Sequence, residues 1–292
     1  MKKLILLAII ALSFAVQAGN LETGLEYIEN RNYEQAEQYL LKAIQEENKK
    51  ERKAIAYNYL GVTYLSQKKY DKSEQMLLKA IQNGHKGAYK YLGVMYNVQK
   101  KYDKAEQMYL KAIENGDTVA YKYLGIIYDA QKKYDKAEQM FLKAIENGDT
   151  EIYYNLGAIY LLQEKYDKAE QTFLKIIQNG DVKGYPYLGL IYYTQKKYDK
   201  AEQMFLKAIQ NGDTEAYYNL GILYFHQNKY DKAEQMFLKA AQNGDVKAYY
   251  NLGAIYYNQN RYSDAKKYFK IAAEKGHQEA AAYYNKLIKE GY

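Results

Sequence analysis

The sequence predicts an all-α chain: an α-solenoid of eight antiparallel helix pairs, closed by a C-terminal capping helix. Three observations predict it. The phrase KYDKAEQM stands at 101–108, 133–140, 197–204 and 229–236, with variants at 32–39, 69–76, 165–172 and 261–268. Successive copies begin 37 and then six times 32 residues apart, and a fixed period of this size marks a stacked array, not one or two ordinary domains. Apolar residues recur at helical spacing inside each period, while the single Pro and the periodic placement of the 19 Gly leave long uninterrupted runs.

The elements follow in chain order. Residues 1–18 (MKKLILLAIIALSFAVQA) read as a signal peptide: Lys2 and Lys3 precede the apolar core Leu4–Val16, and small residues end it at Val16 and Ala18. That core is shorter than the roughly 18–20 residues needed to cross a bilayer. Cleavage after Ala18 is therefore expected, giving a periplasmic or secreted chain with no stable membrane span. With Lys2 and Lys3 removed, the net charge of +7 falls to +5. The charge is spread along the array, which argues against nucleic acid as a partner. The absence of Cys excludes disulfides, thiolate metal sites and Cys nucleophiles.

Residues 19–292 form a single array with repeats near 19–50, 54–84, 85–116, 117–148, 149–180, 181–212, 213–244 and 245–276, and a capping helix at 277–292. The repeat at 117–148 shows the logic. Val119, Tyr121, Leu124 and Tyr128 recur at helical spacing, and so do Ala137, Met140, Phe141 and Ala144. A Lys-Lys-Tyr turn joins the two helices. Asp135 with Glu138 reads as a capping pair for the second helix. Asn147-Gly148 closes that helix, and Asp149 caps the next repeat, with His85 and His277 in the corresponding places of the first and last such turns. The first interval is 37 because QEENKKERK (45–53) replaces this turn, as extended helix ends or a solvated linker.

Gly24, Gly61, Gly93, Gly125, Gly157, Gly189, Gly221 and Gly253 stand inside the first helices, where each costs about 1 kcal/mol against Ala. Close helix contact is the reason in physical terms, and the small residue of KYDKA (Ala137 for Gly125) is the expected partner. Pro186, in a first turn, is expected either to be tolerated there or to bend the helix locally.

Here the chain resembles a known family. Leu124, Gly125, Tyr128, Tyr134, Ala137, Phe141 and Ala144 stand in the places of the tetratricopeptide pattern. The period of 32 is shorter than that family's usual 34 or so. The shortfall lies between repeats, where the turn resembles that of Sel-one-like relatives. The resemblance covers residues 21–292. It implies a right-handed α-solenoid, protein–protein interaction without catalysis, and a concave groove lined by the first helices.

Of the 38 Tyr, those four before each Gly, three after it and in the turn are expected to pack between helices. Nine more lie two or three before the Gly or four after it, on one helical face. That face carries the candidate binding residues: Lys90, Tyr91, Asn97, Lys122, Tyr123, Asp129, Tyr154, Asn155, Tyr187, Tyr193, Tyr218, Asn219, Tyr250, Asn251 and Tyr257. Rigid aromatic area beside hydrogen-bonding amides suits recognition of a protein or peptide. The Lys/Asn/Arg clamp known from the family's carboxylate-binding members is not matched, because Val94 and Ile126 stand where its Asn would be.

No nucleophile elbow, phosphate loop or zinc-protease motif occurs, and His85, His226 and His277 fall in separate repeats. No catalytic residue, cofactor or metal is expected. The reading is a protein-binding scaffold of a bacterial-type cell envelope. Binding or remodelling of cell-wall glycan, and self-association into a structural array, are the alternatives.

Overall fold

The computed structural model describes residues 19–292. The signal-peptide reading of residues 1–18 lies outside them. The described residues are helical throughout, without strands. They fall into two compact units that meet in sequence between Ile152 and Tyr153.

The first unit holds α1 (Asn20–Glu29), α2 (Tyr33–Glu46), α3 (Lys50–Ser66), α4 (Tyr70–Gln82), α5 (Ala88–Val98), α6 (Tyr102–Glu114), α7 (Ala120–Ala130) and α8 (Tyr134–Glu146), then a 3-10 turn at Thr150–Ile152. The second holds α9 (Tyr153–Leu162), α10 (Tyr166–Gln178), α11 (Gly184–Thr194), α12 (Tyr198–Gln210), α13 (Ala216–His226), α14 (Tyr230–Gln242), α15 (Val246–Asn258), α16 (Tyr262–Glu274) and the capping helix α17 (Gln278–Lys289). In each unit consecutive helices pack on each other, and first helices of adjacent repeats also touch, as α3 with α5, α5 with α7 and α11 with α13.

The glycines mark the closest helix contact, but the partner differs from the sequence expectation. A Cβ built on these eight Gly would lie between 2.4 and 2.9 Å from a large side chain of the paired helix: Leu40, Leu77, Tyr109, Phe141, Phe173, Phe205, Phe237 or Phe269. The small residue does lie nearby, since Ser73 Oγ donates to the Gly61 carbonyl at 2.8 Å. The removed side chain makes room for a ring one helical turn beyond it, which is why Ala137 and Phe141 are both fully buried.

Two further expectations are corrected. Each second helix begins at the turn tyrosine, so Asp135 sits inside the first turn of α8 while Lys133 occupies the cap without a side-chain hydrogen bond. An acid there still faces the positive end of the helix dipole. Val119 precedes α7 and is 48% exposed, so it is not part of the buried stripe.

The inter-repeat turn keeps its expected Gly, with Gly116 and Gly148 at φ 87° and 94°, but Asp149 does not cap the next repeat: it pairs with Lys122, and a 3-10 turn precedes α9. The Asp117, Asp181, Asp213 and Asp245 carboxylates accept the backbone N–H two residues on, at 2.8–3.1 Å. His277 caps α17 by accepting from the Ala280 N–H at 3.3 Å. The irregular first turn is both longer helix and short linker: α2 runs to Glu46, α3 starts at Lys50, and Arg52 pairs with Glu22 and Glu47 across it. Pro186 is the third residue of α11, which starts in step with its sister helices. Its missing N–H is one that a first turn leaves unpaired anyway.

The glutamate of each repeated phrase has a structural task that the sequence did not reveal. The buried tyrosines three after the Gly donate their hydroxyls to this glutamate in the preceding repeat. Tyr96 reaches Glu74, Tyr128 reaches Glu106, Tyr192 reaches Glu170 and Tyr224 reaches Glu202, at 2.5–2.8 Å. Lysines of the phrase cover the same rings: Lys104, Lys136, Lys200 and Lys232 stand 5.2–5.4 Å from the centroids of Tyr96, Tyr128, Tyr192 and Tyr224. KYDKAEQM therefore ties one repeat to the next through its Glu as well as through its apolar side, while its Lys covers the tyrosine of its own repeat.

Candidate functional site

The candidate residues occupy three rows on the first helices, set by their distance from the Gly. Nearly all are half-buried; Tyr187 alone is exposed, at 41%. In the first unit the face gathers Lys90, Tyr91, Asn97, Lys122, Tyr123 and Asp129. In the second it gathers Tyr154, Asn155, Tyr187, Tyr193, Tyr218, Asn219, Tyr250, Asn251 and Tyr257.

The row three before the Gly is committed largely to the next inter-repeat turn. Lys90 and Lys122 are not free cations: their ammonium groups lie 3.0 Å from Asp117 Oδ2 and Asp149 Oδ2. The contact with Asp149 raises the Lys122 pKa. Tyr154 donates to Asp181 Oδ2 at 2.8 Å. The Lys183 N–H, and after it this hydroxyl, hold the Asp181 carboxyl below the usual carboxylate range. Burial, followed by the Asp181 bond, pushes the Tyr154 hydroxyl up. Tyr250 stacks on His277, ring centroids 4.5 Å apart. Pro186 occupies this row in the sixth repeat and has no polar group to offer.

In the row two before the Gly, Tyr123 and Tyr187 lie on rings of the preceding second helix. Tyr123 stacks on Tyr109 at 5.6 Å, and Tyr187 on Phe173 at 4.6 Å with planes 3° apart. Of the asparagines of the row, Asn251 donates from Nδ2 to the Tyr218 hydroxyl at 3.2 Å. In the row four after the Gly, Tyr193 and Tyr257 contact the turn tyrosines Tyr198 and Tyr262, at 6.2 and 5.4 Å. Lys286 of α17 donates to the Tyr257 hydroxyl at 2.8 Å. Burial raises the Asp129 carboxyl.

This arrangement offers a firm aromatic and amide surface whose rings are already held in place. Binding to it would order few side chains, which keeps the entropic cost of association low. Among the described residues no group of three or more His, Asp or Glu side chains is placed to hold a metal ion. No described helix is long and apolar enough to cross a membrane.

Residues 21–88, 123–182, 188–248 and 218–280 match the family described as tetratricopeptide repeat. Among solved structures, the C-terminal part of a TPR repeat-containing protein from Cytophaga hutchinsonii is 17% identical, with a TM-score of 0.59 over 90% of this chain and 98% of that one. A tetratricopeptide repeat protein from Parabacteroides merdae is 19% identical, with a TM-score of 0.54 over 82% of this chain and 99% of that one. Yeast Tom70 is 17% identical, with a TM-score of 0.53 over 88% of this chain and 60% of that one. At such identities the likeness is one of fold. No curated protein matches the chain.

Proposed function

The chain belongs to the tetratricopeptide repeat family, and from that premise we propose a non-catalytic scaffold of the bacterial-type cell envelope that binds a protein or peptide on its Tyr/Asn face. One internal comparison carries the reading. The second helices repeat almost letter for letter, whereas the rows of the first-helix face change from copy to copy. From the third repeat to the eighth, the row three before the Gly reads Lys90, Lys122, Tyr154, Pro186, Tyr218 and Tyr250; the row two before it reads Tyr91, Tyr123, Asn155, Tyr187, Asn219 and Asn251. The variation gives each copy of this face different chemistry to present, as recognition of one particular partner uses. Support for the envelope comes from the leader pattern of residues 1–18.

The amides test the proposal better than the rings do, because the rings also pack. A triple variant, Asn155→Ala, Asn219→Ala and Asn251→Ala, is compared with the intact chain and with Lys270→Ala, an exposed second-helix control. All three are immobilised and exposed to envelope extract after circular dichroism has matched their helix content. The same proteins should be retained by the intact chain and the control and be lost from the triple variant. Equal retention on all three, or retention of glycan with no protein, overturns the reading.

A further inference from the structure

The sixth repeat lacks a contact that the third, fourth and fifth make, and in the seventh the Tyr218 hydroxyl accepts from Asn251 in place of reaching its aspartate. Where Lys90 and Lys122 reach the aspartate of the following turn at 3.0 Å, and Tyr154 does so at 2.8 Å, Pro186 leaves Asp213 unmet. Asp213 Oδ1 accepts the N–H groups of Glu215 and Ala216 at 2.9 and 3.3 Å. Among the described residues no hydrogen bond or ion pair reaches its Oδ2.

A cleft of about 600 Å³ opens at this point between α11, the end of α12 and the start of α13. One wall is apolar, formed by Val182, Pro186, Tyr187 and Leu190. Val182, Tyr187 and Leu190 are 40%, 41% and 46% exposed, neighbours in an array that buries most of its large apolar residues. Asp213 and Glu215 also line the cleft. Lys183, another lining residue, lies within electrostatic reach of Asp181 and helps lower that carboxyl, so the two acids keep a surplus of negative charge.

We propose that this cleft seats a Lys or Arg side chain, flanked by apolar residues, from a partner polypeptide. The cation takes the place at Asp213 that Lys90 and Lys122 fill at their own aspartates, and its apolar neighbours cover Pro186, Tyr187 and Leu190. The chain itself shows what this carboxylate position takes: in two sister repeats it is an ammonium group. The volume lies within the roughly 300–1,000 Å³ common for specific ligand sites, and a contiguous exposed apolar wall beside charged groups is the form such sites have. Acids matched to a basic segment also exclude acidic ones. This inference rests on the protein-binding reading and names the chemistry of the segment bound.

The test uses the full processed chain and two probe peptides, Ala-Leu-Arg-Leu-Ala and Ala-Leu-Gln-Leu-Ala, both blocked at their ends and titrated by NMR. The Arg peptide should bind about tenfold or more tightly than the Gln peptide, as expected for one charge-assisted contact. Asp213→Asn should remove the difference. Pro186→Lys, which supplies the ammonium from within, should do the same, while Pro186→Ala, which adds no cation, should keep it. Equal binding of the two peptides, or a Pro186→Lys chain that still prefers the Arg peptide, overturns the proposal. If neither peptide binds while the amide-dependent capture of envelope protein persists, this cleft alone is refuted. Loss of that capture as well refutes the binding function.

Discussion

Replacing Tyr109 by Phe should make the protein more stable, although it deletes a polar group from the core. Tyr109 is fully buried, and among the described residues its hydroxyl has no hydrogen-bond partner. Its ring fills the space left by Gly93, with Cε1 only 2.5 Å from where a Cβ would stand, and stacks on Tyr123. Phe141, Phe173, Phe205, Phe237 and Phe269 occupy the same place in later repeats, equally buried. Folding strips the Tyr109 hydroxyl of water and returns nothing, a cost of about 1–3 kcal/mol. Phe keeps the ring, so a gain of about 1 kcal/mol or more is expected. In a unit of this size that raises the melting temperature by about 2–4 °C. Tyr128→Phe is the matched control with the opposite sign, because the Tyr128 hydroxyl donates to Glu106 at 2.8 Å; its loss should cost about 1–2 kcal/mol. Urea unfolding followed by circular dichroism reads both, with hydrogen exchange at 93–109 showing whether the change is local. A Tyr109→Phe chain less stable than the parent would refute the reasoning, since the hydroxyl would then have to be bonded in the folded state.

Other consequences are open to simple measurement. Gly125→Ala gains helix propensity worth about 1 kcal/mol but places a methyl 2.4 Å from the Phe141 ring. The expected net effect is a loss of about 1–3 kcal/mol, relieved in part by Phe141→Leu, and a gain in stability would sink the close-contact account. The hydroxyls of Tyr64, Tyr96, Tyr128 and Tyr192 are pushed up to about 12, first by burial and then by the glutamates they bond. Because the folded values exceed the unfolded one near 10, their contribution to stability is complete below pH 10 and drains away as pH rises toward 12. Ultraviolet titration of the native chain should therefore show a late-ionising class of tyrosines that merges with the rest on denaturation; a single native phase would contradict this. Expression with residues 1–18 in a bacterial host should yield an envelope protein beginning at Gly19 by N-terminal sequencing, and an intact Met1 in the cytoplasm would refute the leader reading.

Much of the fold was legible because each repeat states it again. Period, helix pairing, the Asn-Gly turn and the capping helix all rest on local chemistry that a sequence displays directly. What escaped notice depends on direction in space. Gly125 announced a close contact but not with what: Ala137 and Phe141 lie on the same face one turn apart, and only the crossing of the helices decides between them. Asp135 read as a cap because capping residues and first-turn acids are the same residue types, displaced by two places. On the candidate face, spacing orders the residues into three rows by their distance from the Gly. Lys90 and Lys122 stand among the candidate binding residues, and their pairing with Asp117 and Asp149 is hidden in the sequence because those partners lie in the next repeat. The signal that could have found the pairing was the exchange of Lys for Tyr at Tyr154, with Asp181 unchanged.

That exchange also explains how one array can be both uniform and specific. The second helices must stay alike, since the Glu of the phrase accepts from the tyrosine of the following repeat and its Lys covers the tyrosine of its own, and a change of Glu in one copy would leave a neighbour's buried hydroxyl without its acceptor. The first-helix rows carry a looser obligation. Lys, Tyr or an aromatic stack can each satisfy the next turn, so several side chains are structurally equivalent while presenting different chemistry outward. Pro186 has no polar side chain to offer the turn behind it, and there a cleft opens beside Asp213, whose Oδ2 has no hydrogen bond or ion pair among the described residues. If variation on this face were mere drift, restoring Lys at that position should repair the contact and stabilise the chain without consequence for any ligand. If the position has been released for binding, the same substitution should gain stability and lose affinity together, because the new ammonium and the partner's cation compete for one oxygen of Asp213.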